Sequence, residues 1–150
     1  MKHTFKSPIG FILLEGNERA LTGISAADKS APSEKNLPSH FKKAQKQLTE
    51  YFDGKRKTFD LPLEFDAETG QFRKKVWQKM ARIPFGKTLT YGELAARAGN
   101  PKAARAAGGA CNKNPFLIVL PCHRVVGANG DLTGFACGLN VKKKLLALEK

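Results

Sequence analysis

The sequence predicts an α+β protein in two parts: a small α/β domain over residues 1–66, then a mainly helical domain over residues 67–150. Apolar runs at 9–15 and 20–25 flank Gly16-Asn17-Glu18-Arg19, which is hairpin spacing with turn residues at its centre. In the second half the apolar residues recur at intervals of three and four, the period of helices. Charge divides at the same place, with a net +2 over residues 1–66 and +11 over residues 67–150.

Taken in order, the hairpin is followed by a loop over 26–39, rich in Ala, Ser, Pro and Lys. Phe41, Ala44, Leu48, Tyr51 and Phe52 share one face of a helix over 40–53, which Asp53-Gly54 stops. Residues 57–63 have strand character, and Asp66 to Gly70 reads as a linker. Phe72, Val76, Met80 and Ile83 mark a helix that ends at Pro84-Phe85-Gly86. Thr90 and Glu93 form a capping box for a short helix over 91–98, stopped by Gly99. Asn100 then serves as cap and Pro101 as first residue of a second helix, which makes a helix-turn-helix. A last helix runs over 141–149.

A chain of 150 residues buries a core without staples. No stretch reaches the roughly 20 apolar residues that span a bilayer, and the N-terminus has no signal-peptide core. Three cysteines, at 111, 122 and 137, are an odd number without zinc-type spacing, which suits a reducing cytoplasm and implies no metal. The basic half fits a polyanion, most simply nucleic acid, although a solvated lysine-rich surface has the same composition.

The chemistry concentrates at Phe116-Leu117-Ile118-Val119-Leu120-Pro121-Cys122-His123-Arg124. The apolar run has strand length and would deliver Cys122 to the rim of a sheet. A thiol reacts as thiolate, which a neighbouring His and Arg favour. In a straight strand, Cys122 and His123 would face opposite ways, so the pair cooperates only if the chain turns at Pro121. The second helix of the helix-turn-helix is almost bare. Ala103, Ala104, Ala106, Ala107, Gly108, Gly109 and Ala110 surround Arg105, its only long side chain after Lys102. A major-groove reader would carry several base-contacting side chains; a bare helix suits the narrow minor groove, or tight packing on another helix.

Pro121-Cys122-His123-Arg124-Val125, with Asn114-Pro115 and Ala104-Arg105-Ala106-Ala107-Gly108-Gly109 upstream, resembles the O6-alkylguanine-DNA alkyltransferases. The resemblance is strong over residues 70–150, and residues 1–66 resemble that family's ribonuclease-H-like domain. It implies direct reversal of damage in double-stranded DNA carrying O6-alkylguanine. The guanine is flipped from the minor groove, and its alkyl group moves irreversibly to Cys122, once per protein molecule, without cofactor or metal. It implies a Cys–His–water–Glu network of Cys122, His123 and Glu149, with Asn114 tying the helix-turn-helix to the active-site loop. Tyr91 would contact the flipped nucleotide's phosphate and N3, Arg105 would fill the vacated stack, and Ala104, Lys102 and Arg124 would join the DNA contact. Val125, Phe135, Ala136 and Cys137 would line the base pocket, Cys137 standing where the family more often has glycine. The resemblance further implies a cytoplasmic monomer and leaves cooperativity on DNA open. A lesion-binding protein without transferase activity, a helix-turn-helix regulator and a thiol hydrolase are the competing readings.

Overall fold

The computed structural model describes residues 1–30, 33–132 and 138–150, which divide into two units. The first holds Met1–Asp66 with Pro115–Leu117; the second holds Ala67–Asn114 and Ile118–Lys150.

The first unit is built on a three-stranded antiparallel sheet of β1 (Lys2–Ser7), β2 (Gly10–Gly16) and β3 (Leu21–Ala27), in that order. The expected hairpin is its β2–β3 half. Strand β1 was not expected, because its Lys2-His3-Thr4 start is polar; it pairs Lys2 with Glu15 through Ser7 with Gly10. The β2–β3 turn needs Gly16, where an added Cβ would lie 2.6 Å from the Ala20 carbonyl. Asn17 Oδ1 closes the turn by accepting from the backbone N–H groups of Arg19 and Ala20 (2.8 and 3.0 Å). Helix α1 (Ser39–Phe52) packs against β1 and buries Phe41, Ala44, Leu48 and Tyr51. Ile12, Leu14, Leu21 and Ile24 are the fully buried residues of the strands.

Residues 57–63 are not a strand. The Gln47 side chain holds both backbone groups of Asp60 (3.0 and 3.2 Å), and only Leu63 bridges, to Leu21. A side-chain amide thus takes the place of a neighbouring strand. Residues Pro115–Leu117 complete this unit with a parallel bridge at Ile24.

In the second unit, helices α2 (Gln71–Met80), α3 (Tyr91–Arg97) and α4 (Ala104–Asn112) pack on one another. Val76, Met80, Leu94, Ala95, Ala107 and Ala110 are buried, and the Trp77 indole N–H donates to the Ala110 carbonyl at 2.8 Å. The Thr90–Glu93 capping box is formed in both directions (3.1 Å each). Helix α4 begins later than the sequence reading had it. Asn100 Oδ1 accepts from Lys102 N (3.1 Å), turning residues 100–102 outside the helix, and α4 starts at Ala104 with no side-chain cap. The Asx turn competes with the capping role that Asn100 could otherwise play. Strands β4 (Leu89–Thr90) and β5 (Val125–Val126) form a two-residue parallel pair, and α5 (Leu139–Leu148) follows.

Candidate active site

The apolar run before Cys122 is not the continuous strand that its composition suggested. It bridges at Phe116 and then reverses at Ile118, whose φ of 71° lies in the left-handed region. That conformation costs a β-branched residue roughly 1–3 kcal/mol and persists only where its surroundings enforce it. Ile118 is buried, as are Leu117 and Leu120 on either side of the bend. Past Pro121, which lacks an N–H, the chain enters a single 3₁₀ turn, Cys122–Arg124, and leaves it as β5. Cys122 and His123 therefore lie on a turn, escaping the opposed geometry of a strand.

Cys122 is buried and unoxidised. The Asn114 amide, just past the end of α4, donates to Cys122 Sγ (3.1 Å) and to the Leu120 carbonyl (2.7 Å). A donor aimed at sulfur favours the thiolate over the thiol. His123 is fully buried, and its Nε2 meets Glu149 Oε2 at 2.5 Å. No water intervenes between histidine and glutamate, which corrects the expected order of the network: the two side chains touch. An ionised carboxylate only accepts, so Nε2 carries the proton and Nδ1 presents its lone pair. Nδ1 is buried and has no partner among the described residues. Burial lowers the His123 pKa, which the Glu149 carboxylate opposes and the Arg124 and Lys142 cations reinforce. The imidazole is thus held neutral near pH 7, the state a base requires.

Two residues have roles that the sequence reading did not give them. Arg124, expected at the DNA, is buried; its guanidinium is spent on Glu149 Oε1 (2.8 Å), Glu149 Oε2 (3.1 Å) and the Ile83 carbonyl (2.7 Å). It has no free face for a phosphate. Lys142, on α5, has no role in the sequence reading. It is fully buried, donates to the Val125 carbonyl at 2.6 Å, and lies 5.7 Å from the centre of the Tyr91 ring. Burial lowers its pKa, and negative charge on Cys122 or Cys111 raises it. Its signal was available in the spacing: Lys142 and Leu145 are both buried on one face of α5.

Cys111 has the opposite environment to a reactive thiol. It sits buried against Met80 (3.8 Å), and burial, reinforced by Cys122, pushes its pKa up to about 12.

The remaining expected residues are placed as follows. Tyr91 opens α3 close to Gly108 of α4. On α4, Arg105, Ala106 and Gly109 are exposed while Ala107, Ala110 and Cys111 are buried; Ala104 is half-buried and Lys102 exposed. Val125 is buried in β5, its carbonyl taken by Lys142. Phe135, Ala136 and Cys137 lie outside the described residues. Among the described residues, no group of three or more His, Cys, Asp or Glu is placed to hold a metal, and no helix is long and apolar enough to cross a membrane.

Two family models together cover nearly all of the chain. The ribonuclease-like domain of 6-O-methylguanine DNA methyltransferase matches residues 1–65, and the DNA-binding domain of the same family matches residues 71–150. The chain is 47% identical to the methylated-DNA–protein-cysteine methyltransferase of Methanosarcina acetivorans, across 97% of this chain and 95% of that one. It is 44% identical to the protein of that name from Mycolicibacterium paratuberculosis, across 98% and 90%. Among solved structures it is similar to Mycobacterium tuberculosis OGT in complex with DNA, with a TM-score of 0.88 and 40% identity across 99% of this chain and 91% of that one.

Proposed function

Since the chain belongs to the 6-O-methylguanine DNA methyltransferase family, a group that repairs DNA by direct reversal, we propose that Cys122 is the atom-accepting residue and that His123 and Glu149 activate it. The chain is a methylated-DNA–protein-cysteine methyltransferase, transferring an alkyl group from O6 of guanine in DNA to its own cysteine. The observation that carries the residue assignment is the pairing at one turn of a thiol held by the Asn114 amide with an imidazole held by Glu149.

His123 Nδ1 takes the proton of Cys122, and the positive charge that develops is stabilised by Glu149 on the far side of the ring. The thiolate attacks the alkyl carbon in line with its bond to O6. The S–C bond forms as the C–O bond breaks, and the electron pair leaves with guanine, which takes up a proton from solvent to become the normal base as His123 releases the thiol proton to solvent. Lys142 places a buried cation near the sulfur and favours the thiolate until the new bond forms. The product is a thioether with no carbonyl for water to attack, so each molecule acts once.

Double-stranded DNA carrying O6-alkylguanine is the substrate, approached from the minor groove and with the base flipped. Arg105 on the exposed face of α4 fills the stack, and Ala104, Lys102 and Tyr91 lie along the backbone. Val125 belongs to the base pocket, to which the family resemblance also assigns Phe135, Ala136 and Cys137. The protein acts in the cytoplasm as a monomer, with one domain over residues 1–66 and the other over residues 67–150.

The test is single-turnover reaction with a duplex bearing one O6-methylguanine, followed by peptide mapping. The peptide holding Cys122 should gain one methyl group in equimolar yield, and Cys122→Ser should bind the duplex without reacting. Methylation at Cys111 or Cys137 would sink the assignment.

A further inference from the structure

The Glu149 carboxylate is held from three sides. His123 Nε2 donates to Oε2 at 2.5 Å, Arg124 bridges both oxygens at 2.8 and 3.1 Å, and the Gly86 backbone N–H reaches Oε1 at 3.3 Å. Arg124 is itself fixed: its third donor meets the Ile83 carbonyl at 2.7 Å, and its guanidinium carbon lies 5.8 Å from the centre of the Phe85 ring. The turn over residues 83–86 closes on this group only because residue 86 is glycine. Its φ is +80°, and an added Cβ would lie 3.2 Å from the Glu149 carbonyl oxygen. The guanidinium thus joins the turn after α2 to the carboxylate after α5, with the imidazole on the carboxylate's other side.

We propose that Arg124 is the positioning residue of alkyl transfer: anchored on Ile83 and Phe85, it grips both oxygens of Glu149, keeps that carboxylate aimed at His123 Nε2, and so leaves Nδ1 as an unprotonated base. The proposal rests on the reading of His123 as the base for Cys122. Bidentate pairing with a planar guanidinium fixes carboxylate orientation in a way that a single ammonium cannot.

The charge matters as much as the aim. His123 feels Lys142 on α5, Glu149 just after it and Arg124 on its own turn, where Cys122 is its chain neighbour. Of these only Glu149 draws a proton onto the ring while Cys122 is a thiol. Without Arg124, Glu149 would be a buried carboxylate with the imidazole as its nearest counter-ion, and the stable arrangement would become imidazolium paired with carboxylate. The base would then already hold the proton it is meant to accept. Arg124 prevents this by neutralising Glu149 before His123 does.

The experiment compares wild type, Arg124→Met, Arg124→Lys and His123→Ala. Single-turnover transfer from an O6-methylguanine duplex is followed across pH, and the His123 ring nitrogens are titrated by NMR. In Arg124→Met, the acid limb of the rate and the His123 titration should move together to higher pH by about one unit or more. Arg124→Lys should fall between that variant and wild type, and duplex affinity should not change in either. A loss of rate by the same factor at every pH, with His123 titrating as in wild type, would overturn the proposal and leave Arg124 a structural residue. Weakened duplex affinity with an unmoved acid limb would overturn it in favour of the phosphate-contact role. If Arg124→Met does not fold, Arg124→Lys decides: behaviour identical to wild type in rate, pH profile and titration would refute the positioning role. Transfer by His123→Ala at the wild-type rate would instead show that the base assignment fails, a separate result that removes the proposal's premise.

Discussion

Changing Gly109 to alanine separates the stability of α4 from its use. Gly109 is exposed in the middle of that helix, and an added Cβ would meet nothing within 4 Å. Glycine in a helix costs roughly 0.5–1 kcal/mol relative to alanine, because the unfolded chain loses more freedom on ordering. Gly109→Ala should therefore stabilise the free protein by that amount and raise Tm by about 1–4 °C, at about 2–4 °C per kcal/mol for a chain of this size. The same methyl should harm function. It projects beside Arg105 and Ala106 on the face proposed to enter a minor groove about 6 Å wide. Overfilling a close-packed contact costs about 1–3 kcal/mol, or roughly 5- to 140-fold in duplex affinity. Calorimetric melting and fluorescence anisotropy on a labelled duplex give the two quantities, and reaction with free O6-benzylguanine supplies a control that needs no groove. A lower Tm would refute the open helix face. A higher Tm with unchanged duplex affinity would refute the approach of this face to DNA.

Four other outcomes are expected. Because burial keeps the His123 pKa below its ordinary value of 6.5, the transfer rate should hold at neutral pH and fall on acidification, with a midpoint below 6.5. The unfolded chain takes up that proton first, so stability should also decline as pH drops below about 6.5, and urea unfolding at pH 7 and at lower pH checks the sign. Lys142→Met removes a buried charge while keeping the chain length; it should melt within a few degrees of wild type yet transfer roughly tenfold more slowly, one unit of thiol ionisation, and an unchanged rate would remove Lys142 from the chemistry. Arg105→Ala should lose repair of duplex DNA while a free alkylated base still reacts, and equal losses on both substrates would contradict the stacking role.

Much of this architecture was legible in local sequence. The Thr90–Glu93 cap, the amphipathic face of α1 and the turn at Pro121 each follow from a few neighbouring residues, and the structure has them. What local reading missed depends on distant partners. Strand β1 is recognisable only through its pairing with β2, since its own alternation is masked by polar residues. Residues 57–63 lose strand form to one glutamine on α1. Asn100 could cap a helix or close its own turn, and it does the second. The resemblance sends Arg124 to the DNA and leaves Lys142 without a role; nothing nearby in sequence announces the carboxylate and the carbonyl that hold them. Local reading singled out Cys122 and His123, but Glu149 came only from the family resemblance, because the glutamate lies 26 positions from the histidine it touches.

The bend at Ile118 has a consequence for how freely this position can drift. Glycine or asparagine would adopt its left-handed φ without penalty, but the side chain is 1% exposed, and truncating a buried isoleucine costs roughly 2–5 kcal/mol. A large aliphatic side chain fills the space but keeps the backbone penalty. No standard residue satisfies both demands, so each replacement exchanges one defect for another, three residues before the turn that carries Cys122 begins at Pro121. Randomising residue 118 under selection for alkylation resistance should therefore return isoleucine and its near-isosteres.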